Sequence, residues 1–266
     1  MKKGLLTLCW AVILVLPALA QQAVLPNEYV ARPDAPHILI AGDFTWPPME
    51  YLDASKKPVG FGIDLLEAMA DTGEFTYELK NVAWDGIFAG LMAGRYDMIA
   101  SSVAITEERE AVMDFSAPYF LVMQGVVVRK GSGINAVGDL YGKSVGAQIG
   151  TTGYFAAQGI PGAKARSYDD VGLAFQDLAG GKLDAVICDD AVAYDFALLN
   201  DRFAGRFSMP FLLEGGRPEY LGFVFQKGDP KGIIPAVNRA LKQIMDSGMY
   251  VEIYTNWFGS KPPRLP

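Results

Sequence analysis

The sequence predicts an α/β protein of two lobes with largely parallel sheets, and three observations carry that prediction. Apolar strand-like runs alternate with segments of helical periodicity to about residue 210, the pattern of parallel sheets covered by helices. One helix–strand junction occurs twice, as Leu91-Met-Ala-Gly-Arg-Tyr-Asp-Met-Ile-Ala-Ser-Ser102 and as Leu178-Ala-Gly-Gly-Lys-Leu-Asp-Ala-Val-Ile-Cys-Asp189. Each is a helix end, a glycine, a basic residue, an aspartate and an apolar strand, so the lobes read as one supersecondary unit used twice. Two further strands, 123–130 and 220–227, have the character of connections that leave the first half and return to it. The first lobe is therefore expected to be discontinuous, made of 21–122 and 222–266 around a second lobe of 123–221.

The elements follow in order. Lys2 and Lys3 precede an apolar run over 5–16 that ends at Pro17-Ala18-Leu19-Ala20. That is a signal peptide over 1–20, with Gln21 as the new N-terminus. Cys9 lies inside the apolar run behind Leu8 and is not placed for lipid attachment. Residues 21–36, rich in Gln, Pro and Asn, read as an irregular leader. A buried strand starts at His37 and is ended by Asp43 and the Pro47-Pro48 pair. A polar turn over 53–58 leads to a helix over 63–69, with Leu65, Leu66 and Met69 at helical spacing and Gly73 as its stop. A second helix carries Ile87, Phe88, Leu91 and Met92, stops at Gly94, and gives way to a strand from Asp97. The chain closes with a helix carrying Ile234, Val237, Leu241 and Ile244. No segment beyond the signal peptide reads as membrane-spanning.

Composition removes several classes of function. The formal charge of −7 becomes −9 once Lys2 and Lys3 are cut away, which disfavours nucleic acid and anionic membrane surfaces as partners. The mature chain keeps one cysteine, Cys188, and so has no internal disulfide despite export. Its single histidine, His37, leads into a strand. Histidine triads and histidine-rich metal centres are thereby excluded.

In sheets of this kind ligands bind beyond the carboxyl ends of the strands. Ser102 and Asp189 occupy those ends in the two copies of the repeated unit, facing each other across a predicted cleft. Four segments around that cleft carry a resemblance. They are Gly42-Asp-Phe-Thr-Trp-Pro-Pro-Met-Glu-Tyr with Gly60-Phe-Gly-Ile-Asp-Leu; Ala100-Ser-Ser-Val-Ala-Ile-Thr-Glu-Glu-Arg109 with Asp114-Phe-Ser-Ala-Pro-Tyr; Gly146-Ala-Gln-Ile-Gly-Thr-Thr-Gly; and Leu183-Asp-Ala-Val-Ile-Cys-Asp189. In this order, behind a signal peptide, they resemble the type 2 periplasmic solute-binding proteins of the polar amino-acid ABC transporter family over about 37–262.

The resemblance implies a periplasmic monomer, without cofactor or metal, that closes on an amino acid by bending at the crossing strands and delivers it to a membrane permease. Residue by residue it makes Arg109 the clamp for the ligand's carboxylate and Asp189 the acceptor of its ammonium. Ser102 and Thr152 become head-group contacts from the two lobes. It makes Trp46 and Trp84 aromatic walls, each otherwise a candidate core residue. Asp43, otherwise a turn-former before the proline pair, becomes the acceptor for a side-chain nitrogen. Chemistry supports these roles: Arg forks onto a carboxylate, and indole faces accept cations and flat amides. Ala104 departs from the family, which carries Ser or Thr there, and a hydroxyl contact is lost. Asp43 between two indoles favours a cationic or amide side chain over an acidic one. Three rivals remain open: a binding module serving a sensor, a binder of another small solute, and an enzyme resembling cyclohexadienyl dehydratase. The last needs a glutamate general acid where this chain has Val192, which cannot transfer a proton.

Overall fold

The computed structural model describes residues 32–203, 205–213 and 218–266. The signal peptide over 1–20 and the leader as far as 31 lie outside the described residues. Two sheets dominate. In the first, the strands run in the order Thr76–Asn81, His37–Gly42, Met98–Ala104, Glu219–Gln226 and Met113–Phe115, with Phe120–Val122 also paired to Glu219–Gln226. In the second the order is Lys164–Tyr168, Ser144–Gln148, Ala185–Asp189, Gln124–Arg129 and Phe207–Leu212. The first three strands of each sheet are parallel. The strand beside each parallel trio is antiparallel to it. The sheets are therefore mixed, which corrects the expectation of largely parallel ones. The cause is the double crossing. The trio ends at the cleft, whereas Gln124–Arg129 and Glu219–Gln226 begin at the cleft and must run away from it.

The repeated sequence unit is a repeated set of bonds. Asp97 donates its N–H to the Leu39 carbonyl at 2.8 Å, and its Oδ2 accepts the Leu39 N–H at 3.0 Å. Asp184 donates to the Ser144 carbonyl at 2.8 Å, and its Oδ2 accepts the Ser144 N–H at 2.9 Å. Each aspartate thus pins the third strand in its sheet's order to the second. The glycine three residues earlier has φ of +67° at Gly94 and +78° at Gly181, the left-handed turn that glycine takes at no steric cost.

Helix Phe61–Ala70 inserts Phe61, Leu65, Leu66 and Met69 into the first lobe's core, against helices Ile234–Asp246 and Met249–Phe258. It ends at Ala70, and Gly73, with φ of +77°, closes the turn that follows. Helix Ile234–Asp246 buries Val237, Leu241 and Ile244 along one stripe, joined by Ala236 and Ala240. In the second lobe, helix Val171–Ala179 buries Val171, Ala174, Phe175 and Leu178, and Phe175 stacks on Phe196 at 4.3 Å. Each such side chain contributes about 1.5–3 kcal/mol on burial, which lets the fold stand with Cys188 buried and free. His37 pairs with the Thr76 hydroxyl at 2.9 Å on the exposed end of its strand, away from the cleft. Among the described residues no helix is long and apolar enough to cross a membrane.

Because Asp184 satisfies the Ser144 N–H, Asp184→Ala is expected to lower stability by about 1–3 kcal/mol, with Asp97→Ala acting in the same direction in the other sheet. Urea denaturation should show the two losses adding, since the sites share no partner.

Candidate functional site

A cavity lies between the sheets at their carboxyl ends, where sheets of this kind place small-molecule sites. Asp43, Trp46, Trp84, Ser102, Ala104 and Arg109 line it from the first lobe, Thr152 and Asp189 from the second. All eight residues nominated from sequence are thus brought together. Ser101, Gln148 and Thr151 complete the wall. Gln148 and Thr151 stand in the quoted Gly146–Gly153 segment and Ser101 beside Ser102, so the signal for them was present without being read.

Arg109 sits in the one-turn helix Glu107–Glu110, whose N-cap Thr106 accepts the Arg109 N–H at 3.3 Å. A single turn aligns too few peptide dipoles to draw an anion. The guanidinium does the work. Its Nη1 donates to the Ala104 carbonyl at 2.8 Å and its Nη2 to the Gly150 carbonyl at 3.1 Å. Its carbon lies 5.9 Å from the Trp84 ring centre and 5.3 Å from that of Phe88, a cation–π arrangement. Ala104 thus serves through its carbonyl, where no hydroxyl is needed. Trp84 is engaged at both ends, since its indole N–H donates to the Ile149 carbonyl at 2.8 Å. Trp46 is 7% exposed, belongs to the main core and also faces the cavity, and its indole nitrogen has no hydrogen-bond partner.

Ser102 has φ of +47°, an uncommon conformation for a residue with a Cβ. Its hydroxyl lies 2.9 Å from Glu50 Oε2, so the side chain is committed to the core and the residue faces the cavity mainly through its backbone. Glu50, 2% exposed, is a functional neighbour that sequence reasoning missed. It stands within the Pro47-Pro-Met-Glu-Tyr segment, but nothing in the local pattern says that an acid there turns inward.

The short stretch 148–152 of the second lobe reaches several groups on the first sheet's side of the cavity. Gln148 Nε2 donates to Asp43 Oδ2 at 3.0 Å. The carbonyls of Ile149 and Gly150 receive Trp84 and Arg109, and the Thr152 hydroxyl donates to Glu219 Oε2 at 2.6 Å. Thr151 caps helix Thr152–Gly159 by accepting the Tyr154 N–H at 3.2 Å. Gly153 lets that helix approach its sheet: a Cβ there would lie 2.9 Å from the Ile187 carbonyl oxygen. Asp189 Oδ1 accepts from Gln124 Nε2 at 2.8 Å.

Burial dominates the electrostatics. It raises the Asp189 carboxyl to about 7, against the opposing bond from Gln124. It also raises Asp43, against bonds that include the one from Gln148. Glu50 is pushed well above its ordinary value, first by desolvation and against the opposing bond from Ser102. Glu219 is raised by the same cause. Desolvation lowers Arg109, opposed by the charges of Asp189 and Glu219, and a guanidinium stays charged through such a shift. Among the described residues Arg109 is the one cationic side chain lining the cavity, against Asp43 and Asp189 in the wall and Glu50 and Glu219 behind it. The cavity therefore offers one site for an anion and an excess of acceptors for N–H donors. Among the described residues no group of three or more His, Cys, Asp or Glu is placed to hold a metal ion.

The chain has relatives among known proteins. Residues 38–260 match the family of bacterial extracellular solute-binding proteins, family 3, and the chain belongs to that family. The probable histidine-binding protein of Neisseria gonorrhoeae is 34% identical over 227 residues, covering 84% of this chain and 83% of the relative. The L-cystine-binding protein TcyJ of Escherichia coli K12 is 30% identical over 227 residues, with the same coverage of 84% and 83%. Among solved structures, the arginine-, lysine-, histidine-binding protein ArtJ of Geobacillus stearothermophilus superposes with a TM-score of 0.78 at 36% identity, covering 85% of this chain and 96% of that one. The ancestral amino-acid-binding protein AncCDT-1, a precursor of cyclohexadienyl dehydratase, gives 0.73 at 33%, covering 84% and 95%.

The raised Asp189 sets a testable opposition between stability and binding. Its folded-state proton affinity exceeds the unfolded one, so the residue costs stability as pH rises from its ordinary 3.8 through about 7, and costs it in full above that. Asp189→Asn is expected to raise the melting temperature of the ligand-free protein at pH 8, to change it little at pH 4, and to abolish the ligand-induced shift. Paired thermal melts at the two pH values check all three.

Proposed function

We propose that this protein is the substrate-binding component of an ABC transporter and captures an amino acid with a polar or basic side chain between its lobes. The observation that carries the proposal is the convergence of all eight nominated residues on one interlobe cavity whose single guanidinium faces an excess of carboxyls. In this reading Arg109 takes the ligand's carboxylate, Asp189 its ammonium, and Asp43 a side-chain N–H donor between Trp46 and Trp84. The relatives described as histidine-binding and as arginine-, lysine-, histidine-binding support a basic ligand, and the cystine-binding relative supports a wider polar class.

The same reading places the protein in the periplasm, delivered there by a signal peptide over 1–20, as a monomer that meets a membrane permease. Its lobes divide at 122/123 and 221/222, and the crossing strands act as the hinge. Binding makes and breaks no bond. Val192, at the position where the dehydratases need a glutamate, is buried and apolar, so the enzymatic alternative lacks its general acid.

Two measurements test the proposal. Arg109→Ala should fold normally and lose about 2–5 kcal/mol of binding, roughly thirty-fold to several thousand-fold in affinity; retention within about threefold places the carboxylate clamp elsewhere. In a thermal-shift competition of arginine, lysine, ornithine, histidine, glutamine and glutamate, glutamate is expected to bind weakest. Asp43→Asn should cost the cationic ligands more than glutamine.

A further inference from the structure

Behind the cavity wall two polar side chains connect the ligand site to both crossing strands. Gln124 begins the strand Gln124–Arg129, by which the chain enters the second lobe, and Glu219 begins Glu219–Gln226, by which it returns. Gln124 Nε2 lies 2.8 Å from Asp189 Oδ1, 3.1 Å from Thr152 Oγ1 and 3.4 Å from Glu219 Oε2. An amide nitrogen carries two protons, so three acceptors compete for them. Gln124 is 7% exposed and its Oε1 is buried without a partner, so every bond this amide makes is on the side of the site. The Thr152 hydroxyl has one proton and gives it to Glu219 at 2.6 Å. It can then offer a ligand only lone pairs, and donation from this end to a ligand's anion falls to free backbone N–H groups in the first turn of helix Thr152–Gly159.

We propose that Glu219 is a further specificity-determining residue: through Gln124 and Thr152 it turns the second lobe's side chains into acceptors and sets how firmly Asp189 holds a ligand's ammonium group. The inference rests on the amino-acid reading above and adds a positioning residue to it. Asp189 is faced by charged or titratable groups from every side: Glu219 from the returning strand, Asp190 at the start of the helix that follows it, Arg109 from the one-turn helix and Glu50 from its short strand. Of these, Glu219 alone shares a hydrogen-bond donor with Asp189. Neutralising Glu219 removes a like charge and weakens its claim on the Gln124 amide, since a neutral oxygen accepts less strongly than a carboxylate. Both effects favour the ionised Asp189 that an ammonium requires.

The experiment is a binding titration with arginine, lysine and histidine between pH 5.5 and 8.5, on the wild type and on Glu219→Gln, whose amide oxygen can still accept the Thr152 proton. With Asp189 titrating at about 7, wild-type affinity is expected to fall about tenfold from pH 8 to pH 6. In Glu219→Gln that loss should shrink to about threefold or less, because the acid limb moves to lower pH. A purely structural role weakens binding equally at all pH values; parallel profiles overturn the proposal. The Asp189 carboxyl carbon, followed by NMR without ligand in both proteins, gives a readout independent of the amino-acid reading. A titration that moves to lower pH in Glu219→Gln while no amino acid binds supports the role of Glu219 and defeats the ligand assignment. A titration that stays in place overturns the inference whatever binds.

Discussion

Opposite charges on separate lobes have to be brought together and dried, and in this protein the stretch 148–152 does that. Gln148, Ile149, Gly150 and Thr152 reach Asp43, Trp84, Arg109 and Glu219. Three of those partners line the cavity and Glu219 stands behind its wall. The rest of the architecture serves this contact. Gly153 seats its own helix against the sheet, the two aspartates of the repeated unit lock third strands to second, and the crossing strands deliver Gln124 and Glu219 to the cleft. Burial then works on the carboxyls, raising Asp43, Glu50, Asp189 and Glu219 together.

Much of the fold was legible because its signals are local. The junction ending at Ser102 and the one ending at Asp189 share a left-handed glycine and an aspartate that makes the same two backbone bonds, and a short pattern of that kind survives in sequence. The strand direction of the crossing segments was not legible. It follows from where the chain stands in space when it enters a lobe, and alternation of strands and helices carries no such information.

The front of the site was legible and its back was not. Arg109, Asp189, Thr152 and Asp43 sit in motifs whose chemistry suits a zwitterionic ligand. Glu50, Gln124 and Glu219 are remote in sequence from the groups they hold, by separations of 52, 65 and 67 residues in the Ser102, Asp189 and Thr152 bonds, and no local pattern marks an acid as inward-facing. Ala104 shows the same limit from the other side. Its side chain reads as a lost hydroxyl, while its carbonyl fixes the guanidinium at 2.8 Å, a function that any residue type performs and that sequence therefore hides.

The Arg109–Gly150 and Trp84–Ile149 bonds join protein to protein. Part of the free energy that shuts the lobes is thus independent of cargo, and a solute can shift the balance of open and shut forms only by the difference in its affinity for the two. In the proposed transport role, a membrane partner that recognised shape alone would receive a background of shut molecules whose level is set by two backbone carbonyls. In that role the fidelity of uptake would depend on the lifetime of the shut form, which a well-matched cargo would prolong, more than on whether that form occurs.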